Sequence, residues 1–390
     1  MDTSKNLVKL IFIFFFITAC SSTHQLEQRV DAGNYKEALV ADQTNIAEPY
    51  RFWADEQPAF LYNAANNTTP LASSSEKLNI LVLSGGGAKG AYGTGVINGL
   101  YDSNQLPQYT IVTGISAGSL MAPFAFIGGD EIPRLKQVML GLNDKSILGK
   151  RNFLNALFKD AFTDGSSLFE SIAESFPAEM IDNIAIEHQK GRRLFIGTTQ
   201  FDSGELMIWN IGQIAVSDLP NKYHLIHQIL AASSSIPGVF PPQFINVEID
   251  GNPLEELHVD GGMNSQMFVD PGNFDYGLVN KALGYQQPPN IHVIRNGVLK
   301  SSYISLQDKG LDLLARSLKV MTIQQARGDL YRMLYYSEVN NYDISFTYID
   351  EKLDAEPATK KMFDQQYMDA LYQNGYDKAI NNSVWQNQVP

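Results

Sequence analysis

An α/β fold is predicted for this 390-residue chain: a mostly parallel central sheet covered by helices on both faces. Three observations predict it. Short, nearly continuous apolar runs bounded by turn residues recur along the chain, as buried parallel strands require. Helix-like stretches lie between them, the alternation that a crossover-connected sheet needs. Two of the apolar runs pass through glycine-rich turns directly into helices.

Order begins at Leu78-Asn-Ile-Leu-Val-Leu83, an apolar run read as a buried strand. Ser84-Gly85-Gly86-Gly87 follows, then a helix from Ala88 to Tyr101. Tyr109-Thr-Ile-Val-Thr113 is a second short strand, and Gly114-Ile115-Ser116-Ala117-Gly118 turns into an apolar helix from about Ser119 to Ile127. Further strands are predicted at Arg193–Thr199, Glu205–Asn210, Glu256–Asp260 and Asn290–Arg295, with a helix at Tyr223–Ala232. From Gln307 to about Tyr336, Leu311, Leu314, Ala315, Leu318 and Met321 recur at the spacing of one long amphipathic helix. The last 40 or so residues, polar with scattered aromatics, predict short surface helices.

With 44% hydrophobic and 18% charged residues the chain reads as globular. Its formal net charge of −13 excludes nucleic acid as an expected partner, because phosphate binding needs a basic surface. The same charge argues against electrostatic capture by anionic lipid. The N-terminus offers another route to a membrane. Lys5 and Lys9 precede the apolar core Leu10–Ile17, then Thr18-Ala19-Cys20-Ser21-Ser22, which together read as a secretory signal. The apolar core is too short to span a bilayer, which takes about 20 residues. Ile17-Thr18-Ala19-Cys20 resembles a bacterial lipobox, and Cys20 is the only cysteine in the chain, so no internal disulfide competes for it. The alternative is an ordinary signal peptide cut near Ala19. The expected organisation is therefore a lipoprotein signal over 1–19, lipidation at Cys20, a polar tether over 20–75 with a short helix around Tyr35 to Ala41, a catalytic domain over 76–350 and a helical extension over 351–390. The expected location is a bacterial cell envelope; by resemblance to lipoprotein sorting rules, Ser21 after the cysteine favours the outer membrane.

Three motifs carry chemistry. Gly85-Gly86-Gly87-Ala88-Lys89-Gly90 follows a strand and opens a helix, so bare backbone N–H groups and a helix N-terminus can converge on an anion, either a phosphate or a transition-state oxyanion. A dinucleotide site would expect a carboxylate ending the second strand, which instead ends at Thr113-Gly114. A phosphate-binding P-loop would need Ser or Thr after Lys89, where Gly90 stands. Gly114-x-Ser116-x-Gly118 has the small flanking residues that permit a sharp strand-to-helix turn exposing a serine hydroxyl. Val259-Asp260-Gly261-Gly262 places a carboxylate at the end of a strand, though an ordinary turn aspartate has the same pattern.

Together, and in this order, the three motifs resemble the patatin-like phospholipase family, from about Leu78 to Asn264 and on through the long helix to about Ile349. Ala231-Ala-Ser-Ser-Ser-Ile-Pro237-Gly-Val-Phe240-Pro241-Pro242 looks like the family's segment between elbow and aspartate. Two departures are present: Lys89 stands where the family usually has Arg, and Met263-Asn264-Ser265-Gln266 replaces the common Asn-x-Pro ending. The resemblance implies a three-layer patatin-like fold and a lipid acyl ester hydrolase with a Ser116–Asp260 dyad and no catalytic histidine; no cofactor is expected and no metal ligand is assigned. It implies an oxyanion hole from Gly85, Gly86 and Gly87 with Lys89 alongside, and an elbow shaped by Gly114 and Gly118. Two alternatives stay open. Ser116…Asp260…His292 satisfies the chain order of a Ser-Asp-His esterase, although His292 lies within the apolar run Ile291-His-Val-Ile294. A non-catalytic envelope lipoprotein with a hydrolase-like fold is the other.

Overall fold

The computed structural model describes residues 24–388, apart from 42, 44, 45, 74, 150–162, 164, 355–358, 360 and the side chain of Leu311. The signal segment and Cys20 lie outside the described residues.

The sheet is mixed, with a parallel centre. Its strands are β1 (Arg51–Trp53), β2 (Asn79–Leu83), β3 (Ile111–Ile115), β4 (Arg193–Gln200), β5 (Glu205–Asn210), β6 (Gln243–Ile249), β7 (Asn252–Asp260), β8 (Asn290–Arg295) and β9 (Asp343–Tyr348). The order is β1-β5-β4-β3-β2-β8-β9, with β7 pairing β4 and β6 pairing β7. The run β4-β3-β2-β8-β9 is parallel, and β5, β1, β7 and β6 add antiparallel pairs at one side. Alternation along each strand builds two cores. Leu81 and Leu83 of β2 enter one, Ile80 and Val82 the other. The first core is roofed by α1 (Gly90–Asp102), α2 (Ala117–Ile127), α3 (Ala178–Gln189) and α4 (Lys222–Ser233). The second lies under α5 (Gly310–Asn340), through Ala326, Leu330 and Met333. The layered arrangement predicted from sequence is the one found. No helix among the described residues is long and apolar enough to cross a membrane.

One edge of β4 acts as a ruler for the site. Its first half pairs with β3, ending at Ile115↔Gly197, and its last residues pair with β7, starting at Thr198↔Asp260. Ser116, which follows Ile115, and Asp260 thus meet at consecutive positions of β4, though 144 residues separate them.

Four expectations need correction. The stretch 20–75 is no free tether over its described part. β1 pairs with β5, and Val30 and Ala38 pack against Val247. Glu48 accepts from Arg193 Nε at 2.8 Å, and Arg51 is buried in an ion pair with Glu256. These charged residues read as surface in the sequence because the partners that neutralise them lie far along the chain. The short helix expected at Tyr35–Ala41 is a single 3-10 turn, Tyr35–Glu37. The terminal extension is part of the body too: α6 (Gln365–Ile380) packs backbone to backbone on α1, where a Cβ at Gly95 would lie 2.0 Å from Tyr372 O and one at Gly375 2.2 Å from Tyr92 O. Finally, the apolar stripe that revealed α5 is not the face that packs. Leu314, Leu318 and Met321 are 57%, 54% and 66% exposed, whereas Ile323, Ala326, Leu330 and Met333 are buried.

Candidate active site

Ser116 occupies the turn between β3 and α2 with φ +54° and ψ −125°, a backbone conformation that non-glycine residues rarely adopt and that costs on the order of 1–3 kcal/mol. The surroundings enforce it. A Cβ at Gly118 would lie 2.2 Å from Leu83 O, and one at Gly114 2.6 Å from Gly118 O, so both flanking positions must be glycine for the helix to start this close to β2. The Ser116 N–H donates to Ser233 Oγ at 2.9 Å, and Ser233 in turn donates to Gly197 O at 2.8 Å. Ser235 O accepts the Asp260 N–H at 3.0 Å. The Ala231–Pro242 segment therefore braces the serine turn and the aspartate at once.

Ser116 Oγ donates to Asp260 Oδ2 at 2.6 Å, and the other carboxylate oxygen accepts the Gly262 N–H at 2.7 Å. Burial pushes the Asp260 carboxyl up to about 6, against the downward pull of those two hydrogen bonds. The carboxylate is held at short range to the hydroxyl and is a stronger base than a solvated one.

The glycine loop closes the site from β2. Gly85 lies so near the serine that its Cβ would be 3.1 Å from Ser116 Cβ, and a Cβ at Gly86 would be 2.2 Å from Asn296 O. The loop is held from the end of β8. The Asn296 N–H donates to Ser84 Oγ at 2.8 Å and Asn296 Nδ2 to Ser84 O at 2.9 Å, while Arg295 Nη1 donates to Gly85 O at 3.0 Å. The Gly85 N–H, expected in the oxyanion hole, instead donates to Gln266 O at 3.1 Å, whereas among the described hydrogen bonds none takes the N–H of Gly86 or Gly87. Lys89 lines the pocket, but its Nζ pairs with Asp354 Oδ1 at 2.7 Å, and the same carboxylate meets Lys319 at 3.0 Å. Burial lowers the Lys89 pKa while Asp354 opposes it.

The pocket over this constellation is about 420 Å³. Ile236, Val298, Ile323 and Met362 give it apolar walls beside Ser116 and Asp260, the kind of lining that suits a hydrophobic chain.

Among the described residues no histidine hydrogen-bonds Ser116 or Asp260. His292 stacks on Trp385 at 4.1 Å, hydrogen-bonds the Tyr109 hydroxyl at 2.9 Å and is driven down to about 4 by burial. It pairs with Leu81 in mid-sheet, away from the strand ends where Ser116 lies. His258 is fully buried between Glu256 and Thr198. Among the described residues no group of three or more His, Cys, Asp or Glu could hold a metal ion. Four residues at the site were missed from sequence: Ser233, Gln266, Arg295 and Asn296. A signal existed for two of them. Arg295 ends the strand predicted at Asn290–Arg295 and Asn296 follows it, at the edge where α/β sheets present ligand-facing side chains.

Residues 81–272 match the family model for patatin-like phospholipase, a span that includes Ser116, Asp260 and the glycine loop. An uncharacterized protein of Acanthamoeba polyphaga mimivirus is 28% identical over 171 residues, 42% of this chain and 45% of that protein, so the chain spans less than half of that relative. Among solved structures, VipD from Legionella pneumophila matches at 14% identity and a TM-score of 0.38 over 80% of this chain and 68% of that one. The type III effector protein ExoU matches at 13% identity and a TM-score of 0.33, over 80% and 54%. Over residues 81–272 the chain is thus similar to patatin-like phospholipases.

Proposed function

We propose that the protein is a serine lipid acyl hydrolase, acting on phospholipids, lysophospholipids or other acyl esters through Ser116 and Asp260. Ser116 Oγ attacks the ester carbonyl carbon while its proton passes to Asp260 Oδ2. The carbonyl π pair moves onto oxygen, where the free N–H groups of Gly86 and Gly87 receive the charge. Collapse of this intermediate breaks the bond to the alcohol oxygen, which takes the proton back from Asp260, leaving an acyl-serine. Water, deprotonated by Asp260, then releases the fatty acid and restores the serine. The observation that carries the reading is the 2.6 Å Ser116–Asp260 hydrogen bond on a backbone held at positive φ, beside a loop with unengaged N–H donors. Fatty acid release from vesicles of one defined phosphatidylcholine tests it. The wild type should release fatty acid and Ser116→Ala should not; release by both would remove Ser116 from the mechanism.

The locations of Ser233, Tyr109 and Trp385 favour the dyad over the Ser-Asp-His alternative, since they commit the elbow to a serine brace and His292 to a packed stack. For location, we propose lipid attachment at Cys20 and a cell-envelope, outer-membrane site, supported by the signal-like residues before it. A chain acylated there would meet its substrates at the bilayer surface.

A further inference from the structure

Arg295 ends β8, lines the pocket together with Ser116 and Asp260, and is 4% exposed. No carboxylate lies within ion-pair distance of it among the described residues. The nearby acids are committed elsewhere. Asp354 holds Lys89 and Lys319, and Asp329 accepts the Gln266 N–H at 2.7 Å and meets Arg332 at 3.2 Å. Arg295 Nε is buried without a partner. Burial lowers its pKa to about 10, with Asp329 and Asp354 pulling the other way through space, so it stays charged at neutral pH. A buried guanidinium with no ion pair is costly to keep, and its hydrogen bonds show what it does there.

All three acceptors belong to the site. Nη1 donates to Gly85 O at 3.0 Å, to Gln266 Oε1 at 3.2 Å and to Ser84 Oγ at 3.3 Å. Gly85 C=O shares a peptide with the Gly86 N–H, so a cation on the carbonyl strengthens the donor at the other end. The Gln266 side chain continues the line, since its Nε2 donates to Gly262 O at 2.8 Å and to Gln325 Oε1 at 3.1 Å. The Gly262 N–H is the donor to Asp260 Oδ1. One charge therefore spans the gap between the glycine loop and the turn that carries the base.

We propose that Arg295, with Gln266 as its relay, is the positioning residue that locks the glycine loop against the Asp260 turn and polarises the Gly85–Gly86 peptide toward the developing oxyanion. The proposal rests on the Ser116–Asp260 reading above. When Ser116 attacks, one negative charge leaves Asp260 as it takes the proton and appears on the substrate oxygen. A cation fastened to the glycine loop favours that transfer, and Arg295 touches neither reacting atom. One nitrogen, Nη1, makes all three of these bonds, held in place by the planar guanidinium; a lysine ammonium, one bond shorter and on a flexible stem, would not be fixed at the same point.

The test is steady-state hydrolysis of a soluble p-nitrophenyl ester by the full chain and by Arg295→Lys, Arg295→Ala and Gln266→Leu, with Ser116→Ala alongside. Arg295→Lys and Arg295→Ala should lose about 10–100-fold in kcat with KM changed less than about threefold, below the loss of a whole oxyanion donor. Gln266→Leu should lose kcat in the same direction by a smaller factor. Added guanidinium ion at non-denaturing concentration should restore part of the activity of Arg295→Ala and none of that of Ser116→Ala, a response that a purely structural role would not give. The inference is overturned if kcat stays within twofold of wild type in the folded variants, or if the loss appears in KM alone. If Arg295→Ala fails to fold, Arg295→Lys and Gln266→Leu decide, and wild-type kcat in both overturns it. Activity retained by Ser116→Ala sinks the nucleophile reading itself; an inactive Ser116→Ala beside fully active Arg295 variants sinks only this inference.

Discussion

Acid should switch the site off well before it unfolds the protein. The perturbation is pH, and the group that responds is Asp260, whose carboxyl is pushed up to about 6 by burial. With that value about nine-tenths of the carboxylate is ionised at pH 7 and about one-tenth at pH 5, so kcat/KM should fall roughly tenfold over that interval. The accompanying change in stability has the opposite sign. Because the folded-state pKa lies above the unfolded one, Asp260 contributes stability that is fully present below the unfolded pKa, about 3.8, and lost as pH rises through about 6. Protonating it therefore does not loosen the fold. The assay is kcat/KM on a soluble ester from pH 4.5 to 8, with circular dichroism at each point. A flat profile down to pH 5 refutes the assignment of Asp260 as base. So does an acid limb whose midpoint moves in His292→Ala.

Three further outcomes are expected. Asp260→Asn should lose activity nearly as completely as Ser116→Ala while unfolding no more easily at pH 7, since a buried carboxylate raised about two units costs roughly 3 kcal/mol to ionise; a lowered melting temperature would contradict this. His292→Ala should keep kcat/KM within about threefold and lose stability by roughly 1–3 kcal/mol through the vacated Trp385 stack, measured by urea unfolding; loss of turnover in a folded variant would restore the triad. Cys20→Ser should abolish palmitate incorporation and move the protein out of the membrane fraction; a variant that still fractionates with membranes rejects the anchor.

What could be read in the sequence was what local pattern encodes. β2, β3 and β8 are continuous apolar runs with glycine or polar stops, and Ser116 and Asp260 sit at strand ends within motifs whose small residues are forced by close backbone approach. What could not be read was anything that depends on a distant partner. Glu48 and Arg51 look like surface charges until Arg193 and Glu256 are found 145 and 205 residues away. Lys89 drew attention as the cation of the glycine motif, yet Asp354, 265 residues on, turns its ammonium aside, and Arg295 reaches the loop carbonyl instead. The helix over Gln365–Ile380 looked peripheral because its sequence is mostly polar; its few buried apolar residues reach the core because Gly95, Gly99 and Gly375 let its backbone approach Gly90–Asp102 closely, and glycines carry no hydrophobic signal.

The most direct measurement is peptide-level mass spectrometry of the protein after reaction with a fluorophosphonate, which captures a serine only where a base and an oxyanion site activate it. One adduct per chain is expected, on the peptide containing Ser116, with none formed in Ser116→Ala and a much slower reaction in Asp260→Asn. An adduct on any other residue, or hydrolysis that continues undiminished in Ser116→Ala, would contradict the assignment of Ser116 as the nucleophile.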